Sequence, residues 1–160
     1  MNRIKRILLV EDDPKDIELT LLALEEYQFA NGVDVVHDGE EALDYLYHRG
    51  NFQTRDRHNH TVVILDLKLP KVSGLDVLRR IRADEKLRLL PVVILTSSRE
   101  EQDLLTSYKL GVNAYVVKPV DFHKFIEAVK SLGVFWVAFN ESPHADPKAR
   151  SAGREKGASA

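Results

Sequence analysis

No cysteine occurs in the 160 residues. That excludes a disulfide scaffold, a thiolate metal centre and a cysteine nucleophile, and it fits a reducing compartment. Long apolar runs are lacking too. The first, Ile7 to Val10, is only four residues long before Glu11, Asp12 and Asp13 arrive, so the N-terminus reads as neither a signal peptide nor a membrane span. The expected location is the cytoplasm. Charge of one sign is also missing. Twenty-three Lys and Arg stand against 25 Asp and Glu, and a net charge of −2 provides no field to gather nucleic acid or an anionic membrane. There are no internal repeats. What remains is a composition of 44% hydrophobic and 30% charged residues, ordinary for a globular chain long enough to bury a sizeable core.

Short apolar runs recur at 7–10, 33–36, 62–65, 92–95 and 115–117, mostly without polar alternation. Such runs suit parallel strands covered on both faces. Between them lie stretches with helical spacing. The first follows Asp13 and Pro14, a cap and a first helical position, and carries Ile17, Leu21 and Leu24 on one stripe. Others span 39–49, 74–83, 100–110 and 121–138. The alternation predicts a doubly wound α/β fold, (βα)5, with a five-stranded parallel sheet. Two regions break the rhythm. Residues 48–60 are polar and aperiodic and read as an extended surface loop, while 140–160 are rich in Ser, Ala, Gly and charge and read as a flexible tail.

Polar residues stand at the carboxyl ends of four strands: Glu11, Asp12 and Asp13; Asp66; Thr96 and Ser97; Lys118 and Pro119. In an open α/β sheet, ligands bind at that edge, where the strand order reverses. With order 2-1-3-4-5, Glu11, Asp12 and Asp66 crowd together, and their repulsion calls for a cation. A hard divalent ion with oxygen ligands answers, and Mg²⁺ fits because it needs few carboxylates and keeps several waters. Lys118 adds a compact positive charge. A cation, an ammonium and a threonine hydroxyl around one aspartate make a receptacle for a phosphoryl group, with Asp66 as nucleophile forming an acyl phosphate. Taken singly, Asp13 is a helix cap, Thr96 suits a cap and Lys118 is a surface lysine. The inference lies in their joint placement. His58 and His60, by contrast, read as residues of a solvated loop rather than metal ligands.

The stretches ILLVEDD, VILDLKLPKVSG, VVILTSS and AYVVKP, in this order, resemble the signature of the response-regulator receiver domain of two-component signalling, over about residues 4–138. The resemblance implies the flavodoxin-like fold with strand order 2-1-3-4-5. It implies Asp66 as phosphoacceptor and Glu11, Asp12, Asp66 and the main-chain carbonyl of Lys68 as the Mg²⁺ ligands. Thr96 and Lys118 would bind the phosphoryl oxygens, with Thr96 and Tyr115 as the switch pair and a cis bond before Pro119. The Lys68 side chain either points to solvent or, with Ser98, lines the path of attacking water; in the family those two positions tune how long the phosphoryl group survives. The loop before the third strand and the late GVFWVAF are similar to the stand-alone regulators of bacterial phytochrome histidine kinases.

The expectation is therefore a receiver domain over 1–139 and a tail over 140–160 without an output domain. The expected partners are a sensor histidine kinase, of phytochrome type by the narrower resemblance, and a second copy of the chain. The dimer would use the fourth helix, fifth strand and fifth helix, extended by Phe135, Trp136 and Phe139. No nucleic acid or membrane is expected as a partner. No enzyme activity is expected beyond the chain's own phosphorylation and dephosphorylation. Two rivals stand beside this reading. One is a degenerate receiver acting only as a binding module. The other is a Mg²⁺-dependent aspartyl-nucleophile phosphatase, which wants a second Asp two residues after the first, where this chain has Lys68.

Overall fold

The computed structural model describes residues 6–26, 32–55, 61–118, 121, 123–125 and 127. Five strands, β1 (Arg6–Val10), β2 (Val33–Val36), β3 (Thr61–Leu65), β4 (Val92–Thr96) and β5 (Ala114–Val117), form one parallel sheet in the order β2-β1-β3-β4-β5. Between them run α1 (Pro14–Glu26), α2 (Gly39–Leu46), α3 (Gly74–Ala83) and α4 (Glu101–Lys109). The doubly wound arrangement and strand order are those expected from the sequence.

The unbroken apolar strands are explained by the two cores. Leu8, Val10, Val63, Leu65 and Ile94 point to one face, against Leu43, Tyr45 and Leu46 of α2 and Val77, Leu78 and Ile81 of α3. Ile7, Leu9, Ile64, Val93 and Leu95 point to the other, against Ala23 and Leu24 of α1 and against Phe125. A strand whose two faces are both buried has no position for a polar residue until it leaves the sheet. Each such Leu, Ile or Val contributes roughly 1.5–3 kcal/mol by leaving water.

Caps set the helix starts. Asp13 Oδ1 accepts from the amides of Lys15 and Asp16, Asp38 from Glu41 and Ser73 from Asp76. The helix expected over 39–49 stops at Leu46. His48 sits in the left-handed region (φ 54°), with its amide on the Tyr45 carbonyl and the Arg49 amide on that of Asp44. This pairing turns the chain out of a helix. The same device, with Gly111 at φ 72°, ends α4 at Lys109 instead of 110.

Nor is the stretch from 48 onward a plain surface loop. It makes a 3₁₀ turn (Gly50–Phe52), sets the Phe52 ring edge-on to Tyr45 at 5.2 Å, and lays Arg55 over the Tyr45 ring at 4.0 Å. Arg55 also donates to the Tyr45 carbonyl, and the Tyr45 hydroxyl donates to Asp34 at 2.6 Å. Residues 56–60, Pro119, most of the helix expected over 121–138, the aromatic run with Phe135, Trp136 and Phe139, and the tail 140–160 lie outside the described residues. Among the described residues no helix is long and apolar enough to cross a membrane.

Candidate functional site

Register brings the chemistry together. Val10 pairs with Leu65, so Glu11 and Asp66 leave the sheet side by side, and the Asp66 amide donates to the Val10 carbonyl at 3.1 Å. The Thr96–Val117 pairing does the same for Thr96 and Lys118, whose amide donates to the Thr96 carbonyl at 2.8 Å. β3 lies between β1 and β4, so Asp66 is flanked by the acidic end of one and the threonine end of the other.

Glu11 and Asp66 are buried while Asp12 is exposed, yet oxygens of all three carboxylates lie within 4.8 Å of one another. The set consists wholly of hard oxygen donors, with one member in water, which suits a divalent cation that keeps part of its hydration shell. Asp13 is not in this group; it caps α1. The Asp66 carboxylate is held by its own loop, Oδ1 accepting from the Lys68 amide at 3.2 Å. The Lys68 side chain is exposed.

Against these carboxylates stands Lys118, its side chain 12% exposed. Nζ lies 2.6 Å from Glu11 Oε2, 2.9 Å from Asp16 Oδ2 and 3.0 Å from Asp66 Oδ2. Burial alone pulls this lysine toward neutrality, but the three carboxylates overrule it and hold its pKa above the ordinary range. Glu11 moves the other way. Burial, aided by the Asp66 charge and opposed by Lys118, pushes it up to about 7. The raised Glu11 is thus first a mark of its burial, with the neighbouring Asp66 charge adding to it.

Thr96 is fully buried, its hydroxyl accepting from the Ser98 amide at 3.3 Å. Ser97 is exposed. The buried Ser98 hydroxyl is committed to Asp103 of α4 at 2.6 Å, and Tyr115, half-buried, donates its hydroxyl to the Ser98 carbonyl at 3.1 Å. Thr96, Ser98, α4 and Tyr115 thus form one connected loop system. Gly74 closes the back of the site. Its amide donates to the Leu67 carbonyl at 2.8 Å, and a Cβ there would stand 2.0 Å from the Asp66 carbonyl oxygen.

The structure gathers Glu11, Asp12, Asp66, Thr96 and Lys118 at one sheet edge, with Lys68 on the adjoining loop. Asp16 and Asp103 went unremarked in the sequence. Both read as ordinary acids in the first turn of a helix, where the dipole favours them. Their partners lie across the fold or on the preceding loop, with no motif to mark the pairing.

Residues 7–130 match the response regulator receiver domain family. The probable methanogenesis regulatory protein FilR2 of Methanothrix harundinacea is 40% identical over 138 residues, 86% of each chain. The solved structure of bacteriophytochrome response regulator RtBRR is similar at 55% identity and a TM-score of 0.75, covering 93% of this chain and 90% of that one. The Mn²⁺-bound form of response regulator Rcp1 is similar at 34% identity and a TM-score of 0.71, covering 87% and 99%.

Proposed function

The chain belongs to the response regulator receiver domain family, and from that premise we propose that it is a phosphoryl-operated switch charged at Asp66 by a histidine kinase. One observation carries the reading: a buried aspartate whose Oδ2 faces the Lys118 ammonium at 3.0 Å while two more carboxylates complete an all-oxygen donor set beside it.

An Asp66 oxygen attacks the phosphorus of a phosphohistidine. The P–N bond breaks, its electron pair leaves with the imidazole, and an acyl phosphate forms on Asp66. Glu11, Asp12, Asp66 and the Lys68 main-chain carbonyl would hold Mg²⁺, which would supply charge neutralisation for the phosphoryl oxygens. Lys118 offsets charge from the other side, and the fixed Lys68 amide keeps the carboxylate from rotating. The Thr96 hydroxyl, now held by the Ser98 amide, turns to a phosphoryl oxygen. Tyr115 then gives up its bond to the Ser98 carbonyl and moves into the space Thr96 leaves. Because Ser98 is tied to Asp103, the change is passed to α4. Phosphorylation thereby selects between two arrangements of that helix. The likeness to bacteriophytochrome response regulators supports a phytochrome-type kinase as donor. The exposed Leu104, Leu105 and Tyr108 of α4 support a homodimer on the α4–β5 side, with Phe135, Trp136 and Phe139 extending it.

Acetyl phosphate with Mg²⁺ tests the reading. Intact mass should rise by one phosphoryl group in the wild type and not in Asp66→Asn, and EDTA should block it. Labelling that survives Asp66→Asn, or no labelling at all, overturns it; the second outcome would favour a binding module indifferent to phosphorylation.

A further inference from the structure

Lys118 has three N–H donors, and the structure assigns one to each of three carboxylates. Two of the three, Glu11 and Asp66, also belong to the oxygen cluster fit for a metal; Asp16 does not. The partners differ in exposure as well. The side chains of Glu11 and Asp66 are 2% and 6% exposed, that of Asp16 34%. Asp16 therefore touches the ammonium from the solvent side, projecting from the first turn of α1.

We propose that Asp16 is a positioning residue for Lys118, the one carboxylate that keeps the ammonium over the phosphoryl site when metal and phosphoryl group claim Glu11 and Asp66. A cation draws electron density from both of those carboxylates, and their hold on Lys118 weakens together. A lysine on a four-carbon stem, released from both, has many rotamers open to it. Asp16 removes that freedom. It sits on a helix whose start is fixed by the Asp13 cap, which bonds the Asp16 amide itself at 3.3 Å. The side chain of Asp16 thus leaves from a settled backbone toward a settled target 102 residues away. The inference rests on the phosphoacceptor reading of Asp66.

The test compares wild type, Asp16→Asn and Asp16→Glu, each also in a Lys118→Ala background, for the rate of labelling by acetyl phosphate at saturating Mg²⁺. Asp16→Asn should label more slowly by about fivefold, the scale of a partly exposed ion pair acting on position. Asp16→Glu should recover most of the rate. Mg²⁺ affinity should stay within about twofold of wild type, since Asp16 is no ligand in this account. In the Lys118→Ala background the Asn substitution should change nothing further. Equal or faster labelling of Asp16→Asn overturns the proposal. So does an equal loss with and without Lys118, the mark of a merely structural helix-start acid. If the wild type itself takes no label, the phosphoacceptor reading has failed and this inference falls with it.

Discussion

At the scale of single residues, the site is defended by an atom that is missing. Gly74 opens α3 directly behind Asp66, where a methyl group would lie 2.0 Å from the Asp66 carbonyl oxygen and 2.6 Å from the Leu67 Cα. Both neighbours are backbone and cannot swing aside as a flexible side chain could. Gly74→Ala should therefore lower stability by about 2 kcal/mol, as overpacking does. It should also slow labelling, because relief of the clash displaces the peptide of Asp66, the proposed acceptor. Urea unfolding and acetyl phosphate labelling of the same preparation check both halves; an unchanged labelling rate in a destabilised variant would show that the strain is absorbed by α3 alone. From the sequence this glycine reads only as the first residue of the helix expected over 74–83. The close approach that demands it appears once α3 is packed on the β3 end, and Asp16 was hidden for a similar reason. Residue types at strand ends are legible because the strands are. Pairings between a helix start and a strand end 102 residues on are not.

At the scale of elements, the strands were legible nearly to the residue, because burial on both faces leaves no room for polar letters. Helix ends were less so. His48 closes α2 in a left-handed conformation usually given to Gly or Asn, and nothing in its residue type announces that. The stretch after it, expected as an extended surface loop, takes its order from tertiary contacts that no local pattern announces: Phe52 and Arg55 on Tyr45, and Tyr45 in turn on Asp34 of β2. Burial first, then the bond to Asp34, pushes the Tyr45 hydroxyl above the ordinary tyrosine range. The folded state thus holds this proton more tightly than the unfolded chain. The contribution is whole below the unfolded value of about 10 and is lost as pH rises from there through the higher folded value. Tyr45→Phe should cost about 1 kcal/mol near neutrality, the net worth of one hydrogen bond. Above about pH 10 its stability should fall less steeply than that of the wild type, so the gap narrows. Urea unfolding across pH measures this; a gap that stays constant into alkali would show that the hydroxyl is not the group responsible.

At the scale of the whole molecule, the sheet ends in a cluster of charges in which one ammonium ties the ends of β1, β3 and β5 to α1 and one carboxylate stands outside the pairing. Lys118 reconciles Glu11, Asp16 and Asp66, but Asp12 is not among the carboxylates it touches. Without metal, Asp12 sets a third carboxylate within 4.8 Å of those of Glu11 and Asp66. In the proposed reading, a bound metal would make it a ligand. Its effect on stability should therefore reverse with the cation. In EDTA, Asp12→Asn should unfold at the same or a higher urea concentration than wild type. In Mg²⁺ at a hundredfold excess over its Kd, the wild type should gain about 2.7 kcal/mol by mass action, and Asp12→Asn should gain little at the same concentration. The two unfolding curves would then exchange order between buffers. A variant weaker than wild type in both buffers would mean that Asp12 supports the fold directly, and the separation of a metal-binding edge from a self-sufficient core would have to be given up. Retention of that order exchange in Lys118→Ala would place the cation's contribution in the carboxylates themselves, independent of the ammonium beside them.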